Sequence, residues 1–584
     1  MKKDVIFLII DSLCEKNIGV GFSGKSTTPF LDSITEECFT CDKVYSQGPY
    51  TEAGTKALLC GEDTLSNGGY LLRYANANSF ITNEFFDNGY ETFCYMYPSA
   101  LLSEETIKKT NHMIYTSGFE FMVIWKQKMS FYLQRYKNGV LDDIDIEKCV
   151  EVMRLVFFAW DKFLNPENKE EAYRLIRDCM EDYNLKKNRE LLRKQIKDFE
   201  EDPCKYIVTL FEYEQKHPLF LIETVEMSKM IRNSIIENAF NCVPNIERKY
   251  KKTQLSRNIK NNRYSILKQC GDICKFIKSG NKYDLGKTFN YYKLLLESRN
   301  MTICKKQNHY KLLRSTKTIL DDLANVMTVE TSKPKFVFVH TEDTHYFSTF
   351  FSYDSSNSEV ISSELRDAEE YIDNVGENYK GNLMYDLSIR YVDKQLKVFF
   401  EKLKRTNKLE MLTMCITADH GYSYNRYPLR KRLVNNFFEE NYSIPLWIYD
   451  KCGKHEKYPY YMLSKDLLAT LYDWCGLQIS SSVTGQSVLG GGKIRDYIIT
   501  EYMGPGCPDL RNREVWMSAR NAKRMVAIKA SLNKENLEMS DVVEVYNLTS
   551  DPLEERALKE LDDESKMLFE VLDVRWNRIK EENR

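Results

Sequence analysis

The sequence predicts an α/β fold, with a central, mostly parallel sheet flanked by helices, a large helical insertion and a small C-terminal subdomain. Three observations predict it. Short β-branched apolar runs alternate with helix-period segments over residues 1–120, and the alternation resumes from Lys333. Between them, over about 121–330, Gly and Pro are rare, Lys, Glu, Leu and Tyr dominate, and apolar residues recur at i, i+3 and i+4. Acids and histidines stand at the ends of apolar runs on both sides of this zone, so both flanks should share one sheet rim, where open α/β sheets hold their ligands.

The elements follow in order. Val5–Ile10 is an apolar run of six residues between charges, which reads as a buried parallel strand ending at Asp11. It is shorter than the 7–15 residues of a signal-peptide apolar region, and no small-residue cleavage site follows. Glycines 19, 21 and 24 mark a turn before a helix over Thr28–Glu37. Ser79–Asn88 reads as a helix stopped by Gly89, and Tyr90–Tyr97 as a strand. After the insertion come a strand at Phe336–His340, a long amphipathic helix at Leu383–Leu403, and strands at Met411–Ala418 and Ile444–Tyr449. Residues 493–584 form the last piece, with a strand at Met525–Lys529 and a charged terminal helix. The catalytic domain is thus expected in two parts, 1–120 and 331–492, around the insertion at 121–330.

Composition narrows the function. The 584 residues carry 83 Lys+Arg against 85 Asp+Glu, a net charge of −2, so a dedicated nucleic-acid binder is not expected. A hydrophobic share of 43% excludes wholesale disorder. No apolar run approaches the ~20 residues that span a bilayer, and the expectation is a soluble, cytoplasmic protein. The 16 cysteines are scattered, several in apolar runs, and read as buried reduced thiols. Cys38/Cys41 and Cys270/Cys274 lack the second matching pair of a zinc ribbon. Residues 247–268 hold eight basic residues and one acid, which reads as a solvated helix face or, alternatively, a dock for an anionic polymer or partner.

Histidine is scarce, seven in the chain, yet His340, His345 and His420 all lie at or just beyond predicted strand ends. Asp419-His420 follows Met-Cys-Ile-Thr-Ala, and Asp11 ends the first strand. Neutral imidazole beside carboxylate suits Zn²⁺, Mn²⁺ or a related divalent ion.

From here the sequence resembles the sulfatase branch of the alkaline phosphatase superfamily, over most of the chain outside the insertion. The opening strand with Asp11 resembles the family's first metal-ligand strand, with Ser12 where many members have a second Asp. Residues Tyr45 to Gly61 resemble the nucleophile turn and its helix, Thr417-Ala-Asp419-His420-Gly421 the second metal strand, Glu439–Leu446 the "EE…(V/I)PL" segment, and Tyr546–Glu554 the "YDL…DP.E" segment. The resemblance implies an alkaline-phosphatase/sulfatase-like sheet and a metal-dependent ester hydrolase or phosphotransferase.

The nucleophile position falls on Thr51, while Ala53 and Thr55 occupy the Pro and Arg positions of the C/S-x-P-x-R motif. The formylglycine signal is therefore absent, and a Thr nucleophile is what the superfamily's phosphodiesterases and phosphotransferases use. The resemblance implies a metal shell of Asp11, Thr51, Asp419 and His420, the ion being Mn, Zn, Ca or Mg. His345 would act on the phosphoryl group or leaving oxygen, with His340, Lys56 and Lys431 as substrate contacts. A second metal would draw on Glu342, Asp343 and His345. The bland reading of Thr51 is a helix N-cap ahead of Glu52–Cys60. A small-molecule or glycan phosphoester is the expected substrate, with a true sulfatase and a non-catalytic binding protein as the alternatives.

Overall fold

The computed structural model describes residues 2–21, 25–96, 102–115, 132–164 without 134, 193–216 without 195, 316–345, 367, 370, 371, 383–423, 437–490, 493–504, 510 and 514–583. In chain order, β1 (Asp4–Ile10) leads to α1 (Pro29–Ile34), β2 (Cys38–Cys41), β3 (Val44–Tyr45), α2 (Thr51–Cys60), α3 (Ile81–Asp87), β4 (Glu91–Met96), α4 (Glu104–Lys108) and β5 (His112–Tyr115). Helices α5 (Asp143–Leu164), α6 (Pro203–Lys216) and α7 (Thr316–Thr328) come next. Then follow β6 (Lys335–Thr341), α8 (Leu383–Arg405), β7 (Leu412–Thr417), α9 (Glu439–Tyr442), β8 (Ser443–Ile444), β9 (Leu446–Asp450), β10 (Lys457–Tyr458), β11 (Met462–Leu463) and α10 (Ser464–Trp474). The chain closes with β12 (Ile498–Tyr502), β13 (Glu514–Arg520), β14 (Arg524–Ser531), β15 (Val542–Asn547) and α11 (Asp563–Glu582).

The main sheet has the order β10-β2-β9-β7-β1-β6-β4-β5. β1 lies at its centre, parallel to β6 on one side and β7 on the other. Its residues from Val5 to Ile10 are all buried, because helices cover both faces; that is why the run is apolar throughout and not alternating. The register sets the site. Ile9 is level with His340 on β6 and with Thr417 on β7. Two residues further on, Asp11 and Asp419 therefore emerge side by side from neighbouring strands, roughly 4.8 Å apart in the hydrogen-bonding direction.

The sheet is as the sequence predicts, with a mixed edge. β9 runs antiparallel to both β7 and β2. The expected strand Ile444–Tyr449 is split at Pro445, which has no N–H for a ladder. Ser443–Ile444 joins β3 and β11 in a small three-stranded sheet, and Leu446–Asp450 joins the main one. Helix 28–37 is shorter than expected, its last turn tightening into a 3₁₀ segment at Thr35–Glu37. Cys38 and Cys41 are buried free thiols on β2; Cys270, Cys274 and the basic stretch 247–268 lie outside the described residues.

In the helical zone, α5 and α6 pack on each other, with Phe157 edge-on to Tyr206 at 5.9 Å. The last helix, α7, belongs elsewhere. Its Ile319, Leu320, Leu323 and Met327 join the main core, and it lies along α8. At the C-terminus, β12–β15 form a four-stranded antiparallel sheet covered by α11, in which the expected strand Met525–Lys529 is one of the two central strands. No helix among the described residues is long and apolar enough to cross a membrane.

Candidate active site

The rim over β1, β6 and β7 gathers four buried side chains, Asp11, His340, Asp419 and His420, from three distant stretches of chain. His340 Nε2 lies 3.2 Å from Asp11 Oδ2 and 3.9 Å from Asp419 Oδ2. His420 Nε2 lies 3.7 Å from Asp11 Oδ1 and 3.7 Å from Asp419 Oδ2. Ligand atoms of Asp11, His340 and Asp419 all fall within 4.8 Å of one another. Donors bound ~2.1 Å from a single ion at tetrahedral angles sit about 3.4 Å apart, so these separations fit one divalent cation.

The surroundings prepare each donor. His420 Nδ1–H donates to the Gly421 carbonyl at 2.6 Å, which leaves the Nε2 lone pair facing the carboxylates. Asp419 Oδ1 accepts two backbone N–H groups, from Ser12 at 3.0 Å and from His420 at 2.9 Å. Its Oδ2 is buried and accepts no hydrogen bond among the described residues. A buried acceptor of that kind is costly unless a cation completes it. Burial alone would raise the pKa of Asp11; the imidazoles of His345, His340 and His420 instead hold its carboxyl well below the usual range. The residues present fit a metal ion.

Thr51 opens α2, with Tyr50 as the N-cap in extended backbone, so the expectation that Thr51 itself caps the helix is corrected by one residue. Its hydroxyl looks into the cluster, 3.3 Å from Asp11 Oδ2 and 3.4 Å from His420 Nε2. Gly54 makes this approach possible: a Cβ there would stand 2.2 Å from the Asp419 carbonyl oxygen. Ser46 Oγ also donates to that carbonyl at 2.6 Å, tying the turn before α2 to the end of β7. Thr55, at the Arg position of the motif, donates to the Thr51 carbonyl at 2.5 Å and accepts from Tyr74 at 2.8 Å.

Of the expected residues, Asp11, Thr51, Asp419 and His420 lie together at this rim. His345 stands at the same rim, its ring 6.5 Å from that of His420 and perpendicular to it. Two expectations change. His340, expected to contact substrate, sits instead between the two carboxylates. Lys56, expected to meet an anion, is buried, donates to the carbonyls of Ser66 and Gly69 at 2.5 Å each, and pairs with Glu62 at 3.6 Å. Helix geometry explains it: five residues after Thr51, the side chain has turned toward the chain beyond Gly61. Lys431 lies outside the described residues. Asp343, a second-metal candidate, accepts the Thr316 N–H at the start of α7 at 2.5 Å. Sequence reading assigned neither Ser12 nor Tyr385 a part in the site; the signals were Ser12 standing where an acid was expected and Tyr385 opening the segment, Tyr385–Leu403, that resembles the family's helix before the second metal strand.

The pattern of the family described as Sulfatase matches residues 3–176 and 250–477, well over half of the chain. No curated protein matches the sequence. A solved structure described as a 2-O GAG sulfatase shares the fold at a TM-score of 0.50 and 11% identity, covering 100% of this chain and 93% of that one. Also similar are the phosphonate monoester hydrolase of Agrobacterium radiobacter (TM-score 0.49, 11% identity, 100% and 96% covered) and that of Silicibacter pomeroyi (0.48, 13%, 99% and 95%). With its acids and histidines on one rim of a mostly parallel sheet and the family pattern running through both halves of that sheet, this chain belongs to the sulfatase family.

Proposed function

We propose that the chain cleaves or transfers a phosphoester, of a small molecule or a glycan, through a covalent intermediate on Thr51. The observation that carries this reading is the Thr51 hydroxyl, set between Asp11 and His420 at the N-terminus of α2. A bound divalent ion, held by Asp11, Asp419, His420 and His340, would acidify a coordinated hydroxyl and offset charge on phosphoryl oxygens. The protein's own part is positional. Thr51 is fixed by the Thr55 bond to its carbonyl, and the backbone N–H groups of the first turn of α2 favour an anion there. Thr51 Oγ forms the bond to phosphorus as the bond to the leaving oxygen breaks, its proton passing to solvent. His345 donates a proton to the leaving oxygen, and water or a sugar hydroxyl then releases the phosphoryl group from Thr51.

Sulfate-ester cleavage is the second reading, favoured by family membership. Against it stand Thr51, Ala53 and Thr55, which do not form the modification signal. A panel of chromogenic phosphomonoesters, phosphodiesters and sulfate esters, each assayed with several metals, separates the two. Phosphodiester turnover with mass addition on Thr51 in quenched samples is the expected result. Preference for sulfate esters, or turnover without a Thr51 adduct, would overturn the substrate class or the covalent step respectively.

A further inference from the structure

Ser12 bends the chain at the end of β1 with φ +60°, a left-handed backbone that residues with a Cβ adopt only when something holds them there. It is completely buried. Its N–H donates to Asp419 Oδ1 at 3.0 Å and its hydroxyl to Asp11 Oδ1 at 2.7 Å. Behind the bend stands Tyr385 of α8, also completely buried. The Tyr385 hydroxyl donates to the Ser12 carbonyl at 2.5 Å and accepts the Cys14 N–H at 3.0 Å, so one phenol pins the peptide units on both sides of residue 13.

The bonds sort the carboxylate oxygens. Asp11 Oδ1 is held by the Ser12 hydroxyl, which also lies 3.3 Å from His420 Nε2, and stands 3.7 Å from that nitrogen itself, while Oδ2 faces Thr51 and His340. Asp419 Oδ1 is held by two N–H groups, while Oδ2 faces His340 and His420. We infer that Tyr385 and Ser12 form a latch that decides which oxygen of each carboxylate is presented to the ion. This rests on the reading of Asp11 and Asp419 as metal ligands and adds positioning residues to it. With the phenol gone, Ser12 relaxes toward an ordinary backbone region and carries its N–H and hydroxyl off the carboxylates. Asp11 is then free to turn about its terminal bond, Asp419 keeps only the His420 N–H, and binding has to order both again.

The test uses the full chain, stripped of metal, with Co²⁺ alone as probe, since cobalt accepts mixed N/O sites and reports their geometry in its visible absorption. Affinity is read by competition with a chromophoric chelator, and stability of the metal-free chain by thermal unfolding. Tyr385→Phe should weaken Co²⁺ binding about 10–100-fold and change the cobalt bands, the usual consequence of losing the group that orients a ligand. Adding Ser12→Gly should recover at least about threefold of the Tyr385→Phe loss, because glycine holds φ +60° unaided and keeps its N–H on Asp419. Ser12→Ala, should Tyr385→Phe not fold, should by itself weaken binding about tenfold, since the Asp11 bond is gone and the bend stays strained. Wild-type affinity and bands in Tyr385→Phe or Ser12→Ala overturn the latch. Loss in Tyr385→Phe that Ser12→Gly leaves uncorrected overturns it too, in favour of simple packing. A wild type that takes up no Co²⁺, or an Asp419→Asn variant that binds as well as wild type, overturns the metal reading and the latch together.

Discussion

Two buried charge clusters lie at the ends of α2, made of similar residues and completed differently. Just beyond its C-terminus, Asp63 accepts from Lys465 at 2.6 Å and Gln47 at 2.7 Å, while Glu501 takes Arg575 through two bonds of 2.8 Å and the Leu65 N–H at 2.7 Å. Each of these two carboxylates has a cation of its own, and Glu582 adds a third acid 3.5 Å from Arg575. At the N-terminus, Asp11 and Asp419 meet imidazoles and hydroxyls, and no Lys or Arg pairs with either among the described residues. That cluster sets two carboxylates beside imidazoles without a Lys or Arg, a donor set that suits one divalent ion. The first cluster is a staple between the C-terminal subdomain and the main sheet; the second is a donor set that fits a metal ion. Charge balance separates the structural cluster from the chemical one, although both are buried and rich in hydrogen bonds.

The sharpest way to break this comparison is at the hydroxyl that only the open cluster has. Thr51→Ala should abolish covalent turnover, with kcat down by about 10³-fold or more, while metal content measured by elemental analysis stays at the wild-type level. A variant that kept wild-type kcat would take Thr51 out of the chemistry. The closed cluster should respond in the opposite way. Arg575→Leu leaves Glu501 buried without its partner and should cost about 3–5 kcal/mol in denaturant unfolding, with metal affinity unmoved. Equal stability would show that the cluster staples nothing.

A smaller effect separates the clusters by ligand. At about 100 times its Kd, an ion that binds only the folded chain adds about 2.7 kcal/mol. That increment should appear in wild type and in Arg575→Leu, vanish on chelation, and be missing from Asp419→Asn. An increment that persisted in Asp419→Asn would place the ion elsewhere.

How much of this was readable beforehand follows the same division. The open cluster was legible because each member ends a strand, and strand ends are visible as an apolar run meeting an acid or histidine. That signal gave Asp11, Asp419 and His420, whereas the family resemblance was needed to give Thr51 its role. His340 was visible as a residue, but its task depends on a register, Ile9 level with His340, that no local pattern contains. Tyr385 was hidden inside an amphipathic helix, where a Tyr facing inward looks like core. The closed cluster was illegible altogether: Asp63, Lys465, Glu501 and Arg575 are scattered charges until tertiary contact joins them. The same holds for the C-terminal sheet, of which one strand was expected; β12, β13 and β15 are short and partly polar, and their partners decide them.

The smallest expected effect lies at a third group of charges, on the loop after β1, which is partly exposed and so tests how far burial is needed. Glu439 accepts from Lys16 at 2.6 Å and Tyr45 at 2.6 Å. Burial would raise its pKa, yet Arg520 and Lys16 bring it down to about 2. Glu15, on the same patch, goes the other way: burial, then the charges of Asp42 and Glu439, push it up to about 7. The two carboxyls thus give opposite pH dependence. Glu439 contributes stability above its unfolded value of 4.5, lost as pH falls toward about 2. The protonated form of Glu15 is favoured by folding, so its contribution is complete below 4.5 and is lost as pH rises through about 7. Together they put the most stable condition of this patch near pH 5. Glu15→Gln removes the second term alone. Its unfolding temperature should match wild type near pH 5 and exceed it by about 1–3 °C at pH 8, the share of roughly 1 kcal/mol left after solvent screening. The metal-free chain is the one to use, since metal binding adds a pH dependence of its own. An equal gain at both pH values would mean that the substitution acts through packing, and a loss at pH 8 would mean that Glu15 is held by a cation there and belongs with the closed cluster.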